Sequence, residues 1–386
     1  MSAPSLTPAS SRPSLPVRAK GEREPGGSTR PRPSAGVVWG RRSKGIARSL
    51  LRSPRSLASG GFPRPGPEVR GRAPGRPARP RVSVAPVLVV GAALVVLGGC
   101  VRAAPAPAEG RGAPELGDVA SFTYVLQGYP KGRLDGVARA PQRLAVVDLS
   151  RDGTVAGYFT RDEIARVRAT GKLVLAYFEI GSIEEFRTDF AEVDQDLLLH
   201  TWPDWPDEHF ARYWEERWWE QVVRPRLDRA LETGFDGVYL DTPLAYEEID
   251  LARVPGETRA TLGRKMADLV IRISRHAKER RPGFAIVPQN SPELRHFPGY
   301  ADAIDGIGME ELFFRATDDP CREEWCDQNL ADTLALKALG KAVLATDYAV
   351  DPANVEAACA HYRRHAIAGN VTVVDLDRVS PPCASK

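Results

Sequence analysis

The stretch Gly234-Phe-Asp-Gly-Val-Tyr-Leu-Asp241 decides the fold: it is a short apolar strand, opened by glycine, that ends on a carboxylate. The same form recurs in Leu144-Ala-Val-Val-Asp148, Leu173-Val-Leu-Ala-Tyr-Phe-Glu179, Ile304-Asp-Gly-Ile-Gly-Met-Glu310, Ala342-Val-Leu-Ala-Thr-Asp347 and Val371-Thr-Val-Val-Asp375. Such continuous apolar, β-branched runs suit strands covered on both faces. Working outward, the pattern predicts eight strands, at 122–127, 144–148, 173–179, 237–241, 284–289, 304–310, 342–347 and 370–375. Helices are predicted between them at 160–170, 209–233, 260–280, 327–339 and 353–368, with no long helix after the first or fifth strand. Thr160 followed by Glu163 reads as a capping box, and Gly171, Gly234 and Gly340 fall where helix C-terminal caps belong. Eight alternating units in about 260 residues give the expected fold class, α/β, as a single (β/α)8 TIM-type barrel whose active site lies at the carboxyl ends of the strands.

Strand alternation then sorts the acids. Gly306, Gly308 and Glu310 share one face of the sixth strand, and Ile307, Met309 and Glu311 the other. The larger apolar face belongs against the helices, so Glu310 points into the barrel. By the same parity Gly237, Tyr239 and Asp241 point inward. Two carboxylates across a pocket can cleave a glycosidic bond, one donating a proton and the other activating water or attacking the sugar. Asp241 and Glu310 are therefore the candidate catalytic pair. Asp148, Tyr177, Glu179, Tyr239, Asp347 and Asp375, at or near strand ends, are candidate substrate contacts.

Other chemistry lacks its residues. The six histidines are scattered, and His361 with His365 lacks the glutamate of a zinc-protease helix. There is no Gly-x-Ser-x-Gly elbow. Asp148, Asp241 and Glu310 are the acids a metal-dependent hydrolase would use, but no two acids of that set lie close in sequence; no metal and no cofactor are expected. Trp202, Trp205, Tyr213, Trp214, Trp218 and Trp219 crowd one region. Tyr213, Trp214 and Trp218 have helical spacing and read as packing, whereas Trp202 and Trp205, in a proline-containing loop, are candidate sugar contacts.

Charge divides the chain. Of its 53 basic and 50 acidic residues, the first 100 positions carry 18 and 3, which leaves 35 and 47 for the remainder, a net of −12. Residues 1–81, rich in Pro, Arg, Gly and Ser, cannot bury enough apolar surface to offset chain entropy and are expected to be disordered. Without interleaved aromatics they do not suggest nucleic-acid binding. Residues 82–100 form a short apolar core behind Arg76, Arg79 and Arg81 and end at Leu97-Gly-Gly-Cys100, the form of an export signal. The last four residues resemble a lipoprotein cleavage site, with Cys100 as the lipidated residue. Initiation at an internal valine codon, such as Val69 or Val82, would make the upstream stretch a gene-model artefact. The expectation is thus an exported, monomeric lipoprotein on the outer side of the cytoplasmic membrane, with residues 101–118 as a tether and 119–386 as the barrel. The remaining cysteines, Cys321, Cys326, Cys359 and Cys383, allow three disulfide connectivities; Cys321–Cys326 could staple a loop and Cys359–Cys383 could pin the tail.

Four motifs, Tyr177-Phe-Glu-Ile-Gly-Ser-Ile-Glu-Glu-Phe-Arg187, Gly234–Asp241, Pro288-Gln-Asn290 and Gly308-Met-Glu-Glu-Leu-Phe313, occur in the order found in glycoside hydrolase family 114. The chain resembles that family, which comprises endo-α-1,4-polygalactosaminidases and related bacterial barrel proteins, over 122–377, nearly all of the mature domain. The resemblance implies hydrolysis of α-1,4-linked galactosamine polysaccharide, with the catalytic pair on Asp241 and Glu310. It implies that Glu184, Arg187 and Asn290 hold substrate or orient the pair. Many members carry a second acid shortly after the Asp241 position, where this chain has Leu244, a departure that bears on sugar specificity. A non-catalytic polysaccharide-binding lipoprotein on the same barrel is the alternative.

Overall fold

The computed structural model describes residues 115–383 apart from residue 204. The expectations for 1–81, for 82–100 with Cys100, and for most of the tether fall outside the described residues. Eight parallel strands are present: β1 (Phe122–Val125), β2 (Leu144–Asp148), β3 (Leu173–Glu179), β4 (Gly237–Asp241), β5 (Ala285–Pro288), β6 (Gly306–Glu310), β7 (Ala342–Tyr348) and β8 (Ala368–Thr372). They pair in sequence order from β1 to β5 and from β6 to β8. Parallel bridges Gln289↔Gly308 and Ser121↔Gly369 join these two sheets at both edges and close the ring. All residues of β2 and β4 are buried, as expected for strands with side chains inside the barrel on one face and helices on the other.

Local chemistry sets the helix ends. Thr160 accepts from the Glu163 amide while Glu163 reaches back to the Thr160 amide, so the expected capping box starts the helix Arg161–Arg168. Gly234, at φ +89°, ends Arg224–Thr233 in the left-handed conformation, where glycine has no Cβ penalty. Longer helices run Arg259–Arg280, Glu324–Ala338 and Pro352–His365. The connections after β1 and β5 hold only short pieces, Asp135–Arg139 in one and Tyr300–Ala303 in the other, in line with the weak helical pattern there.

Two of the boundary shifts have a visible cause. The helix expected from residue 209 begins at Glu216, because Glu208–Ala211 is a strand. It pairs antiparallel with Ser182–Glu184 and Leu198–Thr201, in a small sheet inserted after β3. Phe210 and Ala211 are buried there, so long-range pairing overrides a helix-compatible local pattern. The eighth strand starts two residues earlier than its apolar run suggested. At Gly369 a Cβ would lie 1.9 Å from the Tyr362 ring, so glycine lets the preceding helix pack directly onto β8.

The disulfides are Cys321–Cys326 and Cys359–Cys383. The second ties the chain end to the helix Pro352–His365 across a sequence separation of 24. Closing a loop of that size restricts the unfolded chain by about 3 kcal/mol in the entropic account.

Candidate active site

Register carries Asp241 and Glu310 to the carboxyl rim of the barrel. Asp241 is paired with Glu179 across β3 and β4, and Glu310 with Thr346 across β6 and β7. Tyr239 and Gly308 both face inward: a Cβ on Gly308 would lie 2.1 Å from the Tyr239 hydroxyl. Glycine at 308 therefore makes room for a tyrosine that fills the barrel between the two carboxylate-bearing strands.

Asp241 is fully buried. One of its oxygens accepts from the Tyr177 hydroxyl at 2.5 Å and the other from the Thr242 amide at 2.7 Å. Thr242, at φ +61°, holds a conformation uncommon for a β-branched residue. Glu310 is half-buried. Its carboxylate accepts from the Tyr348 hydroxyl and the Gln289 amide, while its backbone amide donates to Asn290 Oδ1 at 3.0 Å. The Tyr124 hydroxyl in turn donates to Gln289 Oε1 at 3.1 Å. Tyr124 and Tyr239 have ring centroids 5.2 Å apart. Burial first, and then the Glu310 charge, push both phenols well above their ordinary range. Both are neutral at any working pH, and Tyr124 donates. The result is a carboxylate pair set among four buried tyrosines, Tyr124, Tyr177, Tyr239 and Tyr348.

A second group lies beside it. Arg187 bonds Asp148 at 3.0 Å, Glu179 at 2.5 Å and Glu184 at 2.9 Å. Arg226 bonds Glu179 and Asp189 at 2.9 and 2.8 Å. Burial raises Glu179, yet Arg187 and Arg226 hold it down at about 2. Glu184 moves the opposite way: burial and the adjacent Glu179 charge push it well above its usual range. The surroundings thus favour the charged form of Glu179 and the protonated form of Glu184. Asp148 is raised by burial against the pull of Arg187. These expected substrate contacts are occupied with one another, directly beside the rim.

Four expected contacts are placed elsewhere. Asp347 follows Thr346, which is in register with Glu310, so its side chain faces the helices. It accepts from the Phe313 and Phe314 amides, each at 2.7 Å, and from Tyr362 at 2.6 Å; burial raises it to about 6. It ties the loop after β6 to an outer helix. Trp202 is a correction too: it is only 2% exposed and packs on Phe210 and Trp205, inside the inserted sheet. Trp205 is 6% exposed, so neither offers a free ring face. Asp375 lies past the end of β8, with its backbone carbonyl accepting from Gln127.

Sequence reasoning missed Tyr124, Gln289 and Tyr348. Gln289 stood inside the quoted Pro288-Gln-Asn290 motif, and inward parity from Thr346 selects Tyr348. It also missed a group on the loops after β4 and β5, where the Tyr246 hydroxyl bridges Glu247, at 2.9 Å, and Glu293. Burial and the neighbouring Glu247 raise Glu293 to about 8.

Comparison with known proteins agrees with this fold. An uncharacterized protein of Deinococcus radiodurans is 33% identical over 271 residues, which is 69% of this chain and 84% of that one. The crystal structure of Aspergillus fumigatus Ega3 complexed with galactosamine superposes with a TM-score of 0.54 at 18% identity, over 70% of this chain and 97% of Ega3. The glycoside hydrolase domain of PelA from Pseudomonas aeruginosa gives 0.54 at 15%, over 67% and 96%. At these identities the two structures speak for the fold. Residues 102–386 match the glycoside-hydrolase family GH114, and with the barrel and its rim carboxylates in place, the chain belongs to that family.

Proposed function

We propose that this glycoside hydrolase cleaves α-1,4-linked galactosamine-containing polysaccharide internally, with Asp241 and Glu310 as its two essential carboxylates. The observation that carries the reading is their setting: two inward acids on β4 and β6, each held by a tyrosine hydroxyl. Fixed donors aimed at a carboxylate keep it in one orientation, as a paired-carboxylate mechanism needs. The substrate rests on two supports. The GH114-fold structure of Ega3 was obtained with galactosamine, and residues 101–386 carry a net −12, which favours approach of a cationic polymer.

Reducing-end release from α-1,4-galactosamine polymer by residues 101–386 tests the activity. Short oligosaccharides are expected, and Asp241→Asn and Glu310→Gln are each expected to abolish them. No release from folded protein would reject the substrate, and turnover by either amide variant would reject the pair. Binding of the polymer by the wild type without cleavage would instead identify a carbohydrate-binding barrel.

The reading includes export, with the mature protein a monomer anchored through lipid on Cys100. The two disulfides support it, since such bonds persist in oxidising compartments. Mass analysis of the mature amino terminus tests it: an unlipidated Cys100 would remove the anchor from the proposal.

A further inference from the structure

Among the described residues, four large apolar side chains are prominently exposed, and three of them, Val155, Phe186 and Val350, lie on loops that follow β2, β3 and β7 on the carboxyl face of the barrel. Phe186 is the aromatic one, and its setting is built. Gly153, at φ +76°, lies so close that a Cβ there would come within 2.5 Å of the ring. The Arg187 guanidinium sits 5.1 Å from the ring centroid. Gly153 and Arg187 thus hold the ring in place, while the residue as a whole stays 57% exposed.

Arg187 also fixes where the ring lies relative to the carboxylates. It bonds Asp148 and Glu179, and Glu179 is the register partner of Asp241 on the adjacent strand, a spacing of about 4.8 Å. Phe186 therefore stands on the rim on the β2–β3 side, at the strand next to the one that carries Asp241. A pyranose ring carries a flat C–H face, and an open aromatic is its natural support because it offers rigid apolar area at small entropic cost. With a guanidinium already against the ring, its exposed part is a poor second cation site. It suits the apolar face of a sugar, with the ammonium of an amino sugar turned elsewhere.

We propose that Phe186 is a stacking platform for a sugar unit of the polysaccharide chain outside the cleavage point. The proposal rests on the glycosidase reading above, and the test separates the two. Covering Arg187 explains only the part of the ring that touches it; it does not require an aromatic, and it does not require the residue to stay so exposed.

The experiment measures binding of three probes: α-1,4-galactosamine polymer, its N-acetylated form and chitosan. The proteins are the Glu310→Gln chain, used to prevent turnover, and the same chain with Phe186→Leu or Phe186→Trp added. Leucine still covers Arg187 but removes the aromatic face, and tryptophan restores it; the melting temperature of each confirms folding. Phe186→Leu is expected to weaken galactosamine-polymer binding about five- to tenfold, and Phe186→Trp to bring it back to within about twofold. Undiminished binding by Phe186→Leu would overturn the platform and leave the glycosidase reading intact. Phe186-dependent binding of chitosan or the N-acetylated polymer alone would keep the platform and reject galactosamine as the substrate. Failure of the parent to bind any of the three would overturn both.

Discussion

Glu179 and Glu184 belong to one buried cluster around Arg187, yet replacing each by glutamine is expected to have opposite consequences. Glu179 is held at about 2, against an ordinary 4.5, with Arg187 and Arg226 opposing its burial. A depression of that size corresponds to ~3 kcal/mol of stability. Its pKa is lower in the folded state, so this contribution is present above pH ~4.5 and is lost as pH falls towards ~2. Glu179→Gln should therefore cost ~3 kcal/mol at pH 7, within the range for breaking a buried ion pair, and lower the melting temperature by about 10 °C. Glu184 is displaced upward by burial and by Glu179. Its folded state keeps a proton that the unfolded chain gives up above pH ~4.5, so wild-type Glu184 loses stability as pH rises past that value. A glutamine is already neutral and has no such loss. Glu184→Gln should be level with the wild type near pH 4 and equal or better at pH 7. Urea denaturation of both variants at the two pH values decides the matter. A loss at pH 7 for Glu184→Gln as large as that for Glu179→Gln would refute the assignment of the proton to Glu184.

Other expectations follow from single contacts. Tyr348→Phe removes a donor to Glu310 and should lower kcat by about tenfold or more, with the pH–rate profile displaced, while leaving melting nearly unchanged; an unaltered profile would show that the bond is idle. Gly308→Ala drives a methyl group into the Tyr239 hydroxyl and should cost about 1–3 kcal/mol, part of which Tyr239→Phe in the same chain should restore. Replacing Cys383 by serine opens the bond to Cys359 and should cost about 3 kcal/mol in non-reducing buffer, with the difference from wild type vanishing once reductant is added.

The barrel was legible because the strands that build it are apolar on both faces, a pattern that needs no long-range information. Asp241 and Glu310 followed from parity, since Val238 and Leu240 or Ile307 and Met309 had to meet helices. The same parity applied to β7 would have turned Asp347 outward; what was lacking was the register between Thr346 and Glu310. Trp202 was harder to place. Its burial depends on Ser182–Glu184 pairing with Glu208–Ala211, and nothing near Trp202 in sequence announces that partner. Tyr124 reaches Gln289 across 165 positions, a contact only ring closure creates. Glu184 and Arg187 were visible as a motif, but which carboxylate Arg187 holds charged is a matter of three-dimensional charge balance.

The closing contact between Ser121 and Gly369 has a consequence for the order in which the molecule can be completed. A chain emerging from its amino terminus can assemble the sheet β1–β5 first, but the first strand waits for its second neighbour until residue 369 has appeared. The clamp that follows, Cys359 to Cys383, can form only once residue 383 has been delivered. Until then β1 presents an unpaired edge, the kind of surface on which other chains nucleate. Carboxy-terminal truncation is therefore expected to be far more damaging than its distance from Asp241 suggests, producing aggregation rather than a shortened enzyme.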